Sequence, residues 1–403
     1  GGGTRRPVCR GSGHRRAIAA WVWALAFRPG RGLRLQGGPL LLSAPASRQG
    51  SVGESLDVAV AVFVTGLPSP EFCEALLVLA HGFRKAAARS RHRLVLLAIG
   101  PLSIPDADEE FLRRTGFSEL LRFPLPVDPR EVAGQKAREH LEEKMTGGMP
   151  FRLAEETIKY WGLTLVRYDR VLVLDADVML LDPMDELMGL QEDLIGVYDH
   201  GLDTNVSVVP PVQGGFLLLR PNATDFEQLR ELTRRGVWGG DGWEHSGVGW
   251  CYGGAGPIGL LSYHFNRAGL PAYRHGQREF PEGLSSAKVH PGVRWRALDR
   301  KVYDVVVNTR LLNEWDDVLV SGNATEEALV DAVKSVHFTG GCPKPWTCRP
   351  PVDPLCGPLT EKWWELRAEA LAGTPAPEVL ERLGGLQELS RRDRVLRSGT
   401  TTD

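Results

Sequence analysis

Two apolar, β-rich runs, "SLDVAVAVFVTG" at 55–66 and "HRLVLLAIG" at 92–100, flank a stretch, 70–87, whose apolar residues recur at helical spacing. Strands without polar alternation are buried on both faces. A β-α-β succession of this length makes the second strand parallel to the first, joined by a right-handed crossover. This constraint sets the fold class as α/β, with a Rossmann-like, mostly parallel central sheet flanked by helices. A third apolar run at 170–174 and shorter ones at 193–199 and 213–221 extend the sheet. Residues 128–165 read as largely helical, and a helix is expected over 223–235. The Gly- and Trp-rich stretch 236–259 reads as a loop, and 335–346 as a strand end running into a loop. Beyond 357, "LTEKWWELRAEALAG" has the pattern of an amphipathic helix, followed by a charged tail expected to fray.

With 403 residues, one large domain with a substantial core is accessible, and a net charge of −2 argues against nucleic acid or an anionic membrane as the main partner. The first fifty residues differ from the rest, holding nine Arg and no Asp or Glu. Within them "RRAIAAWVWALAF" (15–27) has a basic start and an apolar run too short to span a bilayer comfortably. It fits a signal-peptide core, part of an N-terminal membrane anchor, or a disordered leader. The expected organisation is a leader over 1–54, a single catalytic domain over 55–350, and a Cys/Pro loop with a helical tail over 351–403. Six cysteines with no CxxC pair argue against zinc. Cys342, Cys348 and Cys356 cluster in a Pro-rich loop, where a disulfide and free buried thiols both remain open. Sequons at Asn205, Asn222 and Asn323 point to the secretory pathway, the Golgi above all, with the cytoplasm as the alternative.

The run "RVLVLD" ends in Asp175-Ala176-Asp177. Ligands of open α/β sheets collect where strands surface at their carboxyl ends. Two carboxylates one residue apart there point the same way and repel unless a cation lies between them, so a divalent metal is the natural counter-charge. The alternative is that they cap the following turn. Asp106-Ala107-Asp108 has the same letters but no strand before it, and is expected to be a solvated loop or helix start. An apolar strand ending in Asp-x-Asp serves two reaction classes, the haloacid-dehalogenase-type phosphatases and the nucleotide-sugar glycosyltransferases. The phosphatase motif sits on the first strand of its domain and has Thr or Val where this chain has Met179.

Three further segments, taken in order with the first strand's "FVTG", sharpen the choice: "KYWGLTLVRYDRVLVLDADVMLL", "QGGFLLLRP" and "HFTGGCPKPW". Together they resemble glycosyltransferase family 8, the glycogenin-like enzymes, with the algal and plant-type members closest, over residues 56–350. The resemblance implies a GT-A fold and retaining transfer of a sugar from a UDP-sugar to a hydroxyl of a carbohydrate or protein acceptor. It also implies Mn²⁺, with Mg²⁺ as the alternative, held by Asp175, Asp177 and His337. It places Lys159, Lys344, Gly340 and the Asp175–Asp177 segment, Ala176 included, around the donor diphosphate. Thr65 and Phe72 fall where the uridine is held, although Phe72 could equally be core packing. Asp199, Gln213, Gly214 and Gly215 match positions facing the sugar. The chain departs from the family at Gln213-Gly214-Gly215, which replaces Asn-Ser-Gly, and in a His-to-Lys spacing one residue longer. It also has Pro257-Ile258 where a sugar-binding Asp-Gln is usual, which leaves open another sugar, another catalytic carboxylate (Asp241 or Asp199), or weak activity. That last departure also supports a second reading, a catalytically weak UDP-sugar- or carbohydrate-binding protein on the same fold. Gly254, Gly256 and Gly259 spell GxGxxG with no strand before them, which excludes a dinucleotide site there.

Overall fold

A computed structural model describes residues 54–143, 153–198, 212–240, 242–246, 254–265, 294–307, 325–339, 342–347, 356–373 and 376–385. The apolar segment 15–27 and Cys9, Cys251 and Cys348 lie outside them, as do Asn205 and Asn323. Ser55–Asp403 form one compact unit and Gly1–Glu54 fall in another. Among the described residues no helix is long and apolar enough to cross a membrane.

The strands are β1 (Asp57–Phe63), β2 (Arg93–Pro101), β3 (Glu119–Phe123), β4 (Arg170–Asp175), β5 (Val178–Leu180), β6 (Leu194–Tyr198), β7 (Val212–Leu219), β8 (Trp238–Gly239), β9 (Gly242–Trp243), β10 (Trp295–Ala297) and β11 (Ser335–His337). The main sheet has the order β10-β6-β7-β4-β1-β2-β3. All its neighbouring strands pair in parallel except β7, which runs antiparallel to both β4 and β6. That reversal matters for the site. β1 and β4 end, and β7 begins, at the same edge of the sheet: Phe63 lies beside Asp175, and Leu174 beside Phe216.

The helices are α1 (Pro70–Ala87), α2 (Asp106–Thr115), α3 (Gln135–Glu142), α4 (Leu153–Glu156), α5 (Asp185–Met188), α6 (Ala223–Arg235), α7 (Pro257–Phe265), α8 (Glu326–Asp331), α9 (Cys356–Ala372) and α10 (Pro377–Arg382). α6 matches the expected helix because Asn222 caps it, its side chain accepting the Thr224 N–H at 2.9 Å, and Gly236 closes it at φ +59°. The stretch 128–165, expected to be largely helical, holds among its described residues the short helices α3 and α4, and a 3₁₀ segment, Thr157–Thr164, follows α4 directly. β-branched and aromatic residues disfavour a continuous helix, and at Gly162 the segment presses so closely on β4 that a Cβ would come within 2.9 Å of the Val173 side chain. The stretch 236–259 is also more ordered than a loop, since β8 and β9 form a small hairpin and Pro257 opens α7.

Alternation along β1 builds both halves of the core. Val58, Val60 and Val62 pack towards α1 and α2, while Ala59, Ala61 and Phe63 face the 3₁₀ segment and α6. A third cluster lies between α1, β11 and α9, where Val78, Val336 and Trp363 meet. α9 is fastened to α1 by a buried Arg367–Glu74 ion pair at 2.5 Å. A Cys342–Cys356 disulfide, Cα atoms 5.5 Å apart, joins α9 to the loop after β11, and Cys73 is a buried free thiol.

Asp225 on α6 holds the far side of the sheet together. Its carboxylate accepts from Arg294 at 2.7 and 2.6 Å and pairs with His264 of α7 at 2.8 Å. Burial pushes this carboxyl up, but the hydrogen bonds from Arg294 and His264 outweigh burial and hold it at about 2. A folded pKa below the unfolded one stabilises above the ordinary carboxylate value and is lost as pH falls through it. Asp225→Asn is therefore expected to cost about 3 kcal/mol, the low end for a broken buried pair because Arg294 is partly solvated. It is also expected to flatten the loss of stability between about pH 4 and about pH 2, as read by urea denaturation across that range.

Candidate metal centre

β4 is apolar and buried until its last residue, and the chain turns at Ala176 into the short β5. β5 pairs antiparallel with β11, setting His337 opposite Val178, and the Phe338 N–H donates to the Asp177 carbonyl at 3.0 Å. By this ribbon a residue far along the chain reaches the carboxylate pair. His337 Nε2 lies 3.2 Å from Asp177 Oδ1 and 4.0 Å from Asp175 Oδ2. One ligand atom from each of the three side chains falls within 4.8 Å of the others. Ligands about 2.1 Å from one ion stand about 3 Å apart when adjacent and about 4.2 Å apart when opposite. The two His–Asp separations fall inside that window, so the three side chains fit a single divalent cation.

The surroundings agree with the donor set. Gly215 of β7 lies against the imidazole, where a Cβ would come within 2.2 Å of His337 Cε1. Only glycine leaves the ring room to lie there. Lys344 brings a positive charge to the pair, its ammonium paired with Asp177 Oδ2 and donating to the Phe338 carbonyl at 3.2 Å. Lys159, expected either at the donor or on a solvated helix face, is 1% exposed. Its ammonium pairs with Asp175 Oδ1 at 2.6 Å, donates to the Gly214 carbonyl at 3.1 Å and sits 5.2 Å from the Phe63 ring centroid. Lys159 therefore bridges β4 and β7 from beneath.

Burial alone would lower the His337 pKa, but Asp177 and Asp304 override it and raise it well above the ordinary imidazole value. For Asp177, burial raises the pKa while His337 and Lys344 lower it, and the lowering prevails. Burial would likewise discharge Lys159, yet Asp175 and Glu156 keep its pKa raised.

Other expected residues fall as follows. Thr65 is half-buried just beyond the end of β1, at the same sheet edge as Asp175. Phe72 is buried in the core cluster with Val62 and Leu76, so its ring packs in the interior, the other of its two expected places. Gln213 turns back on its own strand, accepting the Gly215 N–H at 2.7 Å. Asp199, Asp241 and Gly340 lie outside the described residues. Ile258 of α7 reaches the site, lying 3.1 Å from where a Gly214 Cβ would be. The doublet Asp106-Ala107-Asp108 opens α2, the helix start expected of it, but it is not solvated throughout. Asp106 is exposed, but Asp108 is buried, accepting the Leu67 N–H at 3.1 Å and Arg382 at 2.8 Å. It pins the loop that carries Thr65, an obligation invisible without the tertiary contact.

Two carboxyls went unnoticed in the sequence. Glu156 is buried, and its Oε2 has no hydrogen-bond partner among the described residues. Burial raises its pKa, with Lys159 opposing. Its signal was the spacing to Lys159, since positions three apart eclipse in a 3₁₀ segment. Asp304 is fully buried, with Oδ1 3.4 Å from His337 Nδ1. Nothing in the sequence around it marks that role.

No protein-family model and no curated protein matches this chain. Among solved structures it is similar to the apo form of the glycosyltransferase GlyE of Streptococcus pneumoniae, at 14% identity and TM-score 0.43, over 79% of this chain and 63% of that one. It is also similar to the galactosyltransferase LgtC in complex with donor and acceptor sugar analogues, at 13% identity and TM-score 0.41, over 81% and 99% of the two chains. Mouse xyloside xylosyltransferase 1 is similar at 13% identity and TM-score 0.39, over 70% and 97%. The chain thus spans less than two thirds of the length of GlyE. Likeness at this level bears on neither chemistry nor substrate.

The raised His337 pKa favours its protonated form, so a metal that takes Nε2 competes with that proton. Binding of Mn²⁺ at pH 7 is expected to release about one proton, seen as a buffer-dependent heat in titration calorimetry and absent in His337→Ala. Affinity should accordingly climb as pH rises. Gly215→Ala is expected to push the ring aside and weaken Mn²⁺ binding at least about tenfold without unfolding the protein.

Proposed function

We propose that this chain is a retaining glycosyltransferase of the GT-A, glycogenin-like type, moving a sugar from a UDP-sugar to a hydroxyl acceptor with Mn²⁺ as its metal. The observation that carries the reading is the convergence of Asp175, Asp177 and His337 at the carboxyl end of the central strand β4, flanked by Lys159 and Lys344. A metal held there supplies Lewis-acid stabilisation to a diphosphate leaving group.

The chain's own groups do the remaining work. Lys344, partly exposed beside Asp177, supplies a mobile point charge for phosphate oxygens, whereas Lys159 is buried and fixes Asp175 and the start of β7. Thr65, on the loop beyond β1, stands at the edge where a nucleotide would lie. In the transfer step the bond from the anomeric carbon to the UDP oxygen breaks. The acceptor oxygen bonds to that carbon from the same face, and its proton passes to the departing phosphate oxygen. Mixed imidazole and carboxylate ligation with positions left for substrate favours Mn²⁺, with Mg²⁺ as the alternative. The acceptor is a carbohydrate or protein hydroxyl. The Cys342–Cys356 disulfide and the sequons support residence in the secretory pathway.

Ile258 favours a second reading. An apolar side chain beside Gly214, where the resemblance leads one to expect a glutamine, with Pro257 in place of the neighbouring carboxylate, suits a protein that binds a UDP-sugar and turns it over weakly. A screen of UDP-sugars for Mn²⁺-dependent hydrolysis separates the two. Turnover with one donor, lost at least about 100-fold in Asp177→Asn, is the expected result. Tight UDP binding without turnover supports the binding protein. Phosphate release without any nucleotide sugar would point to a phosphatase instead.

A further inference from the structure

We infer that Asp304 is a positioning residue of the metal centre, accepting the Nδ1–H of His337 and so aiming Nε2 at the cation. The inference rests on the metal reading above and extends it to a residue that contacts no substrate.

His337 uses its two ring nitrogens in opposite directions. Nε2 faces the Asp175 and Asp177 carboxylates, and Nδ1 faces Asp304 Oδ1 at 3.4 Å. Asp304 is fully buried, and among the described residues neither of its oxygens nor His337 Nδ1 has a hydrogen-bond partner, so each is the nearest opposite charge the other meets there. A carboxylate withdrawn from water without partners is costly, and the imidazole is the group that answers it. A metal-bound histidine whose second nitrogen donates to a carboxylate has its tautomer and ring plane fixed, which raises its strength as a ligand.

The backbone shows that Asp304 is held for this purpose and does not simply fill space. Its φ is +46°, a left-handed conformation uncommon outside glycine but tolerated by Asp and Asn. Five hydrogen bonds lace the segment to β11 and the residue before it, the longest from Ser335 N–H to Val302 O at 3.4 Å. Lys334 N–H donates to Val302 O at 2.8 Å, Val305 N–H to Ser335 O at 2.9 Å and His337 N–H to Val305 O at 3.0 Å. The fifth runs from the Asp304 N–H to Ser335 Oγ at 2.8 Å. Asp304 therefore moves with the strand that bears His337. Gly215 meets the ring on one side and Asp304 meets it at the rear, so the ring is gripped by two elements remote from each other in sequence.

The experiment is direct Mn²⁺ binding to the full chain by electron paramagnetic resonance, without any nucleotide. Wild type is expected to bind, and His337→Ala to lose binding. Asp304→Asn preserves size and tolerates the positive φ, and is expected to bind about 10–100-fold more weakly while the melting temperature of the metal-free protein stays near wild type. Wild-type affinity in Asp304→Asn alongside a defective His337→Ala would overturn the inference and leave the metal reading standing. Equal affinity in wild type and His337→Ala would overturn both. If Asp304→Asn fails to fold, Ser335→Ala, which releases the Asp304 backbone, carries the test. A several-fold loss of affinity is then expected, and an unchanged affinity rejects the inference.

Discussion

Two carboxylates forced together at the end of a buried strand must be neutralised, and much of the architecture around β4 serves that need. Asp175 is answered from below by Lys159, and Asp177 from the side by Lys344 and His337. Each of those cations arrives on a different element: a 3₁₀ segment, a loop tied down by a disulfide, and the short strand β11. Removing charge from water is expensive, so each half-buried partner makes sense only together with the others. The cluster is consequently an electrostatic unit, to which an added divalent cation contributes a further, competing charge.

The reversed strand β7 is the topological device that completes the unit. If it ran parallel to β4, its glycines would open at the opposite edge of the sheet. Running antiparallel, it delivers Gly214 and Gly215 to the end of β4, where a bare backbone lets a lysine ammonium and an imidazole come close. The sequence "QGG" is thus explained by packing at least as much as by any ligand.

The parts legible beforehand are those written in local pattern. Unbroken apolar runs announced β1, β2 and β4, and α6 stands at its expected bounds of 223–235. The acidic doublet was distinguishable from its look-alike at 106–108 because only one follows a strand. The convergence of Asp175, Asp177 and His337 came from a resemblance, since no spacing rule connects a doublet to a histidine on β11. What stayed hidden depends on contacts between distant segments. Asp108 looked solvated because its partners, Leu67 and Arg382, come from elsewhere in the chain. Asp304 resembled any acid after a tyrosine. The 3₁₀ form of 157–164 depends on the sheet beneath it as well as on its own β-branched and aromatic residues.

The Arg382–Asp108–Leu67 chain of contacts reaches beyond its modest size. A guanidinium on the last described helix steadies a carboxylate on α2, and that carboxylate tethers the loop leaving β1. α10 therefore works as a drawstring on the loop that leaves β1 at the sheet edge where Asp175 stands. Slackening it would loosen the mouth of the site while the sheet and its apolar layers remained intact.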